Sequence, residues 1–195
     1  MRFRNLVVAV VLLSACAAAR ADSVFNFEST AQGTNLPLTL TNNGLNATFD
    51  GDAFIYNTAN AYQLISGMAI FQDDFPGAID VQFSKSLNAL TLDVATSDFG
   101  SPVTALLYEN GVLVGSDTFD TAVLVGDVFA EGRVTLTGDF NSVSFTDNSD
   151  SFMAMDNFDA VVDPPATAVT PELSSITLLG TGLIGLAGFV RRRVC

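Results

Sequence analysis

The sequence has 195 residues, with 8 basic against 21 acidic side chains, 16 phenylalanines, two cysteines, and neither histidine nor tryptophan. Without histidine the chain cannot build the Ser-His-Asp or Cys-His pairs of nucleophilic hydrolases, or the histidine-rich sites of zinc and non-haem iron. Residues 22–169 hold 20 acids against 2 bases, a net charge of −18, which repels phosphate backbones and excludes nucleic acid as a partner.

The first 21 residues have the pattern of an export signal. A basic start and an apolar stretch at residues 6–13 precede Ala19 and Ala21, whose spacing is that of a small-x-small cleavage site. Cleavage there gives a mature chain that begins at Asp22. The apolar stretch is too short to span a bilayer, so it predicts export rather than anchoring.

A second pattern competes with simple cleavage. The Leu-Ser-Ala-Cys sequence at residues 13–16 resembles the lipobox of bacterial lipoproteins, and this resemblance implies a lipid on Cys16. Lipoproteins usually continue with a polar tether, whereas residues 17–21 are mostly alanine. Simple cleavage is therefore the expected reading, and lipidation of Cys16 is the alternative.

Residues 22–162 are predicted to form one all-β domain. Short runs of Phe, Val, Leu, Ile and Thr are separated by Gly, Asn, Asp and Ser, and no window has a helical period. Asn110-Gly111 tolerates the positive φ angles of a type I′ turn, which predicts a hairpin between strands 103–109 and 112–119. About ten strands at this spacing predict an antiparallel β-sandwich of jelly-roll type with a phenylalanine-rich core. The other predicted strands are 24–28, 45–49, 53–56, 68–71, 79–83, 90–94, 134–136, 143–145 and 152–162.

The same domain carries little that points to catalysis. It contains no cysteine, no nucleophile-elbow motif and no phosphate-binding loop, and its only bases are Lys85 and Arg133. One enzyme class remains, glycoside cleavage by two carboxylates about 5–10 Å apart, which is an unspecific requirement among so many acids. We therefore expect a non-enzymatic protein. A sugar-binding module that uses Tyr56, Tyr62 and Tyr108 in place of tryptophan is the alternative.

Dense oxygen-bearing side chains predict a structural calcium ion, because calcium takes six to eight oxygen ligands. One group contains Asp147 and Asp150, and another contains Asp156 and Asn157. In jelly-roll modules a calcium ion often ties the first strand to the last, and this resemblance implies Glu28 as a further ligand. The alternative is that both groups are ordinary turn and strand-end residues.

The chain ends in an extended spacer and an apolar segment. Residues 163–170 contain two prolines and small side chains, which favour an extended conformation. No charge falls within residues 173–190, and 18 helical residues span about 27 Å, close to the thickness of the bilayer hydrocarbon. Basic residues after such a helix stay on the cytoplasmic side. The residues that flank and mark this segment are Pro171, Glu172, Leu173, Arg191, Arg192 and Arg193.

This order of a Pro-Glu motif at 171–175, a spanning helix at 173–190 and a basic end at 191–193 resembles the PEP-CTERM sorting signal of Gram-negative bacteria. Leu173 stands where the family usually has a second proline. The resemblance implies an exosortase-type processing enzyme as partner and a precursor held transiently in the inner membrane. A plain C-terminal membrane anchor is the alternative.

The resemblance also implies where the protein works. Such proteins are delivered to the outer envelope or the extracellular matrix, which implies a structural or adhesive role in an exopolysaccharide or biofilm layer. The β-sandwich with a tyrosine-lined face makes a carbohydrate-binding module the alternative. A two-carboxylate glycosidase is the third hypothesis.

Overall fold

The computed structural model of the protein describes residues 22–58, 61–72, 77–97, 100–147 and 152–162. This part of the chain contains no helix with the length and apolar character needed to cross a bilayer. Several predicted features lie outside the described residues: the signal peptide 1–21 with Cys16, Ala19 and Ala21, the ligand Asp150, the spacer 163–170, and the sorting signal with Pro171, Glu172, Leu173, Arg191, Arg192 and Arg193.

The described residues form an all-β structure in which every strand pairing is antiparallel. The strands are β1 Asp22–Phe25, β2 Leu38–Asn42, β3 Leu45–Gly51, β4 Phe54–Asn57, β5 Met68–Gln72, β6 Ala78–Thr96, β7 Pro102–Glu109, β8 Val112–Asp120, β9 Ala122–Val123, β10 Ala130–Asp147 and β11 Met153–Val162. This confirms the predicted antiparallel all-β class.

Two long strands, β6 and β10, are shared by both layers of the sandwich. Residues 78–83 of β6 lie between β3 and the last part of β10, which also pairs with β7. The later part of β6 lies instead between β11 and the first part of β10. Register breaks between Thr137 and Phe140 and between Phe140 and Ser142 separate the two parts. Such irregularities increase the local twist and allow a strand to bend from one layer into the other.

The first layer therefore has the strand order β2-β3-β6-β10-β7-β8. The second layer contains β4, β5, β11, the later part of β6, the first part of β10, and β9. β1 also joins the second layer, where Asp22 is the partner of Val161, so β11 is paired along both of its edges.

The core lies between the two layers and is rich in phenylalanine, as predicted. Alternation along β3 and β6 turns Phe49 and Val81 inward, while their neighbours in sequence face outward. Phe49 of the first layer contacts Phe158 of the second, with ring centroids 5.0 Å apart and nearly perpendicular planes. Phe27 packs edge-on against Phe49 at 5.1 Å. Such aromatic pairs combine large apolar burial with favourable edge-to-face geometry.

The Asn110-Gly111 hairpin is confirmed. Asn110 has φ 52° and Gly111 φ 79°, as a type I′ turn requires, and they connect β7 to β8. The structure has a second turn of this kind at Asn43-Gly44, with φ 48° and 72°, which joins β2 to β3. The predicted strands do not include β2, although its turn carries the same signal.

Other boundaries differ from the prediction. The predicted strands 79–83 and 90–94 are two parts of β6, and 134–136 and 143–145 are two parts of β10. Polar residues at each bend resemble a loop in the sequence, whereas the backbone continues through each bend as a strand. At the N-terminus β1 ends at Phe25, and Glu28 lies in a turn in which the N–H of Thr30 donates to the carbonyl of Phe27.

Candidate functional site

An open groove crosses the outward face of the first layer. We call it the Tyr108 groove, and its volume is about 510 Å³. Seven polar or aromatic side chains line it, from β3, β6, β7 and β10: Thr48, Asp50, Asp80, Gln82, Tyr108, Ser142 and Ser144.

Strand register arranges these side chains in two rows. Thr48, Gln82, Ser142 and Tyr108 are successive partners across β3, β6, β10 and β7. The second row holds Asp50, Asp80 and Ser144, two residues further along each strand. Because side chains alternate along a strand, both rows point to the same face.

The row of residues between these two rows faces inward and holds the strands beneath the groove in place. Phe49, Val81, Val143 and Leu107 are successive partners on the same four strands, and all are buried. The backbone beneath the groove is therefore held by the core. A site on packed strands keeps its geometry better than one on loops.

Hydrogen bonds orient part of the groove. The Gln82 amide nitrogen donates to the carbonyls of Asn141, at 3.1 Å, and Phe83, at 3.3 Å. This leaves its oxygen without a partner among the described residues, and available as an acceptor. Thr48 Oγ1 lies 2.9 Å from Thr39 Oγ1. The Tyr108 ring is half-buried, so one part of it packs on the sheet while the rest faces the groove.

The groove contains negative charge without a positive partner. Asp50 and Asp80 are opposite each other on β3 and β6, and both are exposed. Neither forms an ion pair within the described residues, and no lysine or arginine lines the groove. Asp50 Oδ1 accepts only a local hydrogen bond there, from the N–H of Gly51 at 2.8 Å.

A different arrangement lies on the outward side of the second layer, beneath residues 61–68. We call it the covered face. Glu131 is buried, and its carboxylate accepts the backbone N–H groups of Gln63 at 2.7 Å, Leu64 at 2.6 Å and Ile65 at 3.4 Å. Burial raises the pKa of Glu131, against the lowering effect of these bonds. Glu131 thus fastens the covering segment to β10, a role that the sequence patterns did not predict.

Two of the predicted calcium ligands, Glu28 and Asp156, lie on the covered face, near enough for their charges to interact. Asp156 is 1% exposed, and its Oδ1 atom has no hydrogen-bond partner among the described residues. Burial, and then the charges of Glu28 and Asp93, raise the pKa of Asp156 to about 7. Glu28 is close enough to influence Asp156 and also accepts the N–H of Met68 at 3.2 Å.

Asp93 lies beside Asp156 but has its own partners. It is the partner of Asp156 in the β6–β11 register, and Arg133 forms two bonds to its carboxylate, at 2.7 and 2.9 Å. Asn157, with φ 55° at a register break of β11, donates to Asp93 Oδ2 at 3.0 Å. The predicted calcium ligand Asn157 therefore serves here as a donor to a carboxylate.

The remaining predicted ligand, Asp147, lies at the end of β10, where its Oδ1 accepts the Ser101 hydroxyl at 2.9 Å. Across the described ranges, no three Asp, Glu, Cys or His side chains are grouped so that they could hold a metal ion. Calcium can also use backbone and amide oxygens, so its binding at Glu28 and Asp156 stays a prediction.

The three tyrosines do not form one surface. Tyr108 lies in the groove, whereas Tyr56 and Tyr62 belong to a strip of touching rings on the second layer. Neighbouring rings in this aromatic strip have centroids 5.2–6.3 Å apart, in Phe54, Tyr56, Phe71, Phe152, Phe129 and Tyr62. Burial, and then the charge of Glu131, raise the pKa of Tyr62 to about 12. Tyr62 is thus part of the packing around the covering segment.

No protein-family model matches the chain, and no curated protein is similar to it in sequence. Among solved structures it is similar to a cleaved adhesin domain of Lys-gingipain from Porphyromonas gingivalis, with 12% identity, a TM-score of 0.44, and coverage of 74% of this chain and 99% of the other.

Two further solved structures are similar at the same level. For an exo-beta-agarase the identity is 10%, the TM-score 0.47, and the coverage 74% of this chain but only 26% of the enzyme. For TmCBM61 in complex with beta-1,4-galactotriose the identity is 11%, the TM-score 0.41, and the coverage 71% of this chain and 94% of the other. Similarity of this degree carries no argument about function.

Proposed function

We propose that this protein is an exported, non-enzymatic polysaccharide-binding protein that uses the Tyr108 groove to hold a glycan chain within an extracellular layer. The observation that supports this most directly is the groove itself. It combines an aromatic ring with hydroxyl, amide and carboxylate groups on a face fixed by the core. The proposal combines two hypotheses: the protein binds carbohydrate, and it does so in the extracellular matrix.

The chemistry of the groove fits a sugar. A pyranose has an apolar face of C–H groups that packs on an aromatic ring, while its hydroxyls donate and accept hydrogen bonds at the edge. Tyr108 would provide the ring, and Gln82 and Ser142 are its neighbours in the same row. A volume of about 510 Å³ lies within the range of about 300–1,000 Å³ for small-molecule sites. An open sheet face lets a longer chain continue beyond it.

The same geometry gives little support to glycoside cleavage. Asp50 and Asp80 are paired carboxylates, but both are exposed on an open face. Glycosidases hold their general acid in an environment that favours the protonated form, usually by burial. Asp156, a buried acid with a raised pKa, lies on the covered face and is not among the residues that line the groove.

Export and sorting complete the proposal. The signal peptide 1–21 would direct the chain out of the cytoplasm, and the 171–195 segment would hold the precursor in the inner membrane until an exosortase-type enzyme processes it. The described domain occupies residues between these two segments. Its net charge of −18 over residues 22–169 suits a soluble exported body. The jelly-roll topology and a structural calcium ion at Glu28, Asp156 and Asn157 are part of the same proposal.

A glycan array with the domain 22–162 tests the binding function. We expect reproducible binding to a subset of polysaccharides, lost in Tyr108→Ala and retained in Tyr56→Ala. Tyr56 is the matched control because it is 42% exposed and lies in the aromatic strip. No reducing ends should appear when the bound polysaccharide is incubated with the protein. Binding that survives Tyr108→Ala, or measurable cleavage, would contradict the proposal.

A further inference from the structure

We infer that the Tyr108 groove selects glycans that carry protonated amino groups, with Asp50 and Asp80 as the ammonium-binding point. This inference rests on the proposed function and adds the class of ligand. It starts from the cavity, in which one row offers a ring and neutral polar groups and the other offers two carboxylates.

The two carboxylates occupy directly opposite positions on neighbouring antiparallel strands. Side chains at such positions are close enough to interact, and like charges placed there repel each other. Neither Asp50 nor Asp80 forms an ion pair in the described part of the chain. A cation held between them would relieve the repulsion, and the groove supplies none of its own.

The two cationic side chains of the described residues lie outside the groove lining. Arg133 is committed to Asp93 through two hydrogen bonds on the covered face. Lys85 is exposed and does not line the groove. The positive charge therefore has to come with the ligand. Among sugars, the group that supplies it is the ammonium of a 2-amino-2-deoxy unit, which brings three hydrogen-bond donors.

The remaining lining residues agree with this selection. Ser144, on β10, is the strand partner of Asp80 on β6. The Gln82 Oε1 atom has no partner among the described residues. Together with the two carboxylates, it gives the groove more hydrogen-bond acceptors than fixed donors. A uronate or sulfate would place a further negative charge beside two carboxylates. Such like-charge contacts work against binding, and the net charge of the domain adds to the repulsion.

Three hexasaccharides with the same β-1,4 backbone test the inference, because they differ only at C2: cellohexaose (hydroxyl), the N-acetylglucosamine hexamer (acetamido) and the glucosamine hexamer (ammonium). Titration calorimetry at slightly acidic pH, with EDTA in every sample, measures each affinity. We expect the glucosamine hexamer to bind about tenfold more tightly than cellohexaose, as a charge-assisted hydrogen bond predicts. The preference should decrease toward 1 M salt, where the Debye length is about 3 Å.

Variants separate the inference from the function on which it rests. Asp50→Asn and Asp80→Asn should each remove the preference, so that within each variant the glucosamine hexamer binds no more tightly than cellohexaose. Asp120→Asn, an exposed acid outside the groove lining, should keep it. Equal affinities for the three sugars, or a preference that survives both substitutions, overturns the inference but not the function. A wild-type protein that binds no glycan on the array overturns both.

Discussion

The open face of the first layer and the covered face of the second layer both carry aspartates opposite each other on paired strands. In the groove the pair is Asp50 and Asp80, which are exposed and have no cationic partner among the described residues. On the covered face it is Asp93 and Asp156, both buried. Solvent stabilises the first pair. Buried carboxylates need partners from the protein. Within the described ranges, the covered face provides them for Asp93 but not for one oxygen of Asp156.

The difference shows that water access decides what a carboxylate pair does. A charge on the open face keeps its hydration and can exchange it for a ligand. A charge on the covered face must be neutralised by a counter-ion, bonded to backbone N–H groups, or protonated. Arg133, the N–H groups of residues 63–65 and the raised pKa of Asp156 are these three solutions.

The largest expected effect comes from removing the counter-ion of the covered face. Arg133→Met keeps the apolar stem but leaves Asn157 as the side-chain donor to the buried Asp93 among the described residues. We expect the free energy of unfolding to fall by about 3 kcal/mol, because an uncompensated buried carboxylate is costly. Urea denaturation measures this. Lys85→Met, which removes the other described cation, should change it by less than about 0.5 kcal/mol. Equal losses in the two variants would show that burial does not distinguish these charges.

A smaller effect of opposite sign is expected at Asp156. The folded state holds this proton up to about pH 7, whereas the unfolded chain releases it near pH 4. The folded state thus binds more protons in that window, so stability decreases as pH rises from about 4 to about 7. Asp156→Asn should flatten this dependence and raise the unfolding free energy at pH 8 by about 2 kcal/mol. Thermal melts of the wild type and the variant from pH 4 to 8 measure the pH dependence of stability and the difference at pH 8.

The same variant tests the calcium prediction. If calcium binds Glu28, Asp156 and Asn157, added Ca²⁺ should raise the melting temperature of the wild type, EGTA should reverse the change, and Asp156→Asn should not respond. Identical melting midpoints with Ca²⁺ and with EGTA would remove calcium from the proposal and leave the proton as the group that neutralises Asp156.

The smallest effect is expected on the open face. Asp80→Asn removes one of two exposed like charges and should stabilise the fold by about 0.5 kcal/mol, since opposed charges on a sheet surface cost little in water. Urea denaturation at low salt measures it, and higher salt should reduce the difference. A gain as large as that of Asp156→Asn at pH 8 would show that the two faces do not differ in solvation.

Local signals were the most predictable from the sequence. Asn110-Gly111 specifies its turn through the φ angles it tolerates, and the phenylalanines specify a core through their size and lack of polar atoms. Tyr108 was predicted as a candidate for binding sugar. Its neighbours could not be named, because the row of Thr48, Gln82 and Ser142 depends on the register of four strands from distant parts of the chain.

The covered face could not be predicted for the same reason. Glu131 binds backbone groups more than 60 residues away, at Gln63, Leu64 and Ile65, and nothing beside Glu131 in sequence signals this. The pairing of Arg133 with Asp93 likewise follows from the β6–β10 register. The role of a carboxylate depends on which segment covers it. The covering segment and β10 are far apart in sequence and meet only in the folded structure.

The position of β11 has a mechanical consequence. Any chain that continues past Val162 pulls on this strand first, and β11 is bonded to β1 and β6 near that end and to β5 further along. A load directed along the strand shears these hydrogen bonds together, whereas a load on an edge strand such as β8 could peel them apart one at a time. If the protein is drawn taut between its attachment and a captured polymer, the strand nearest the attachment is also among the hardest to extract.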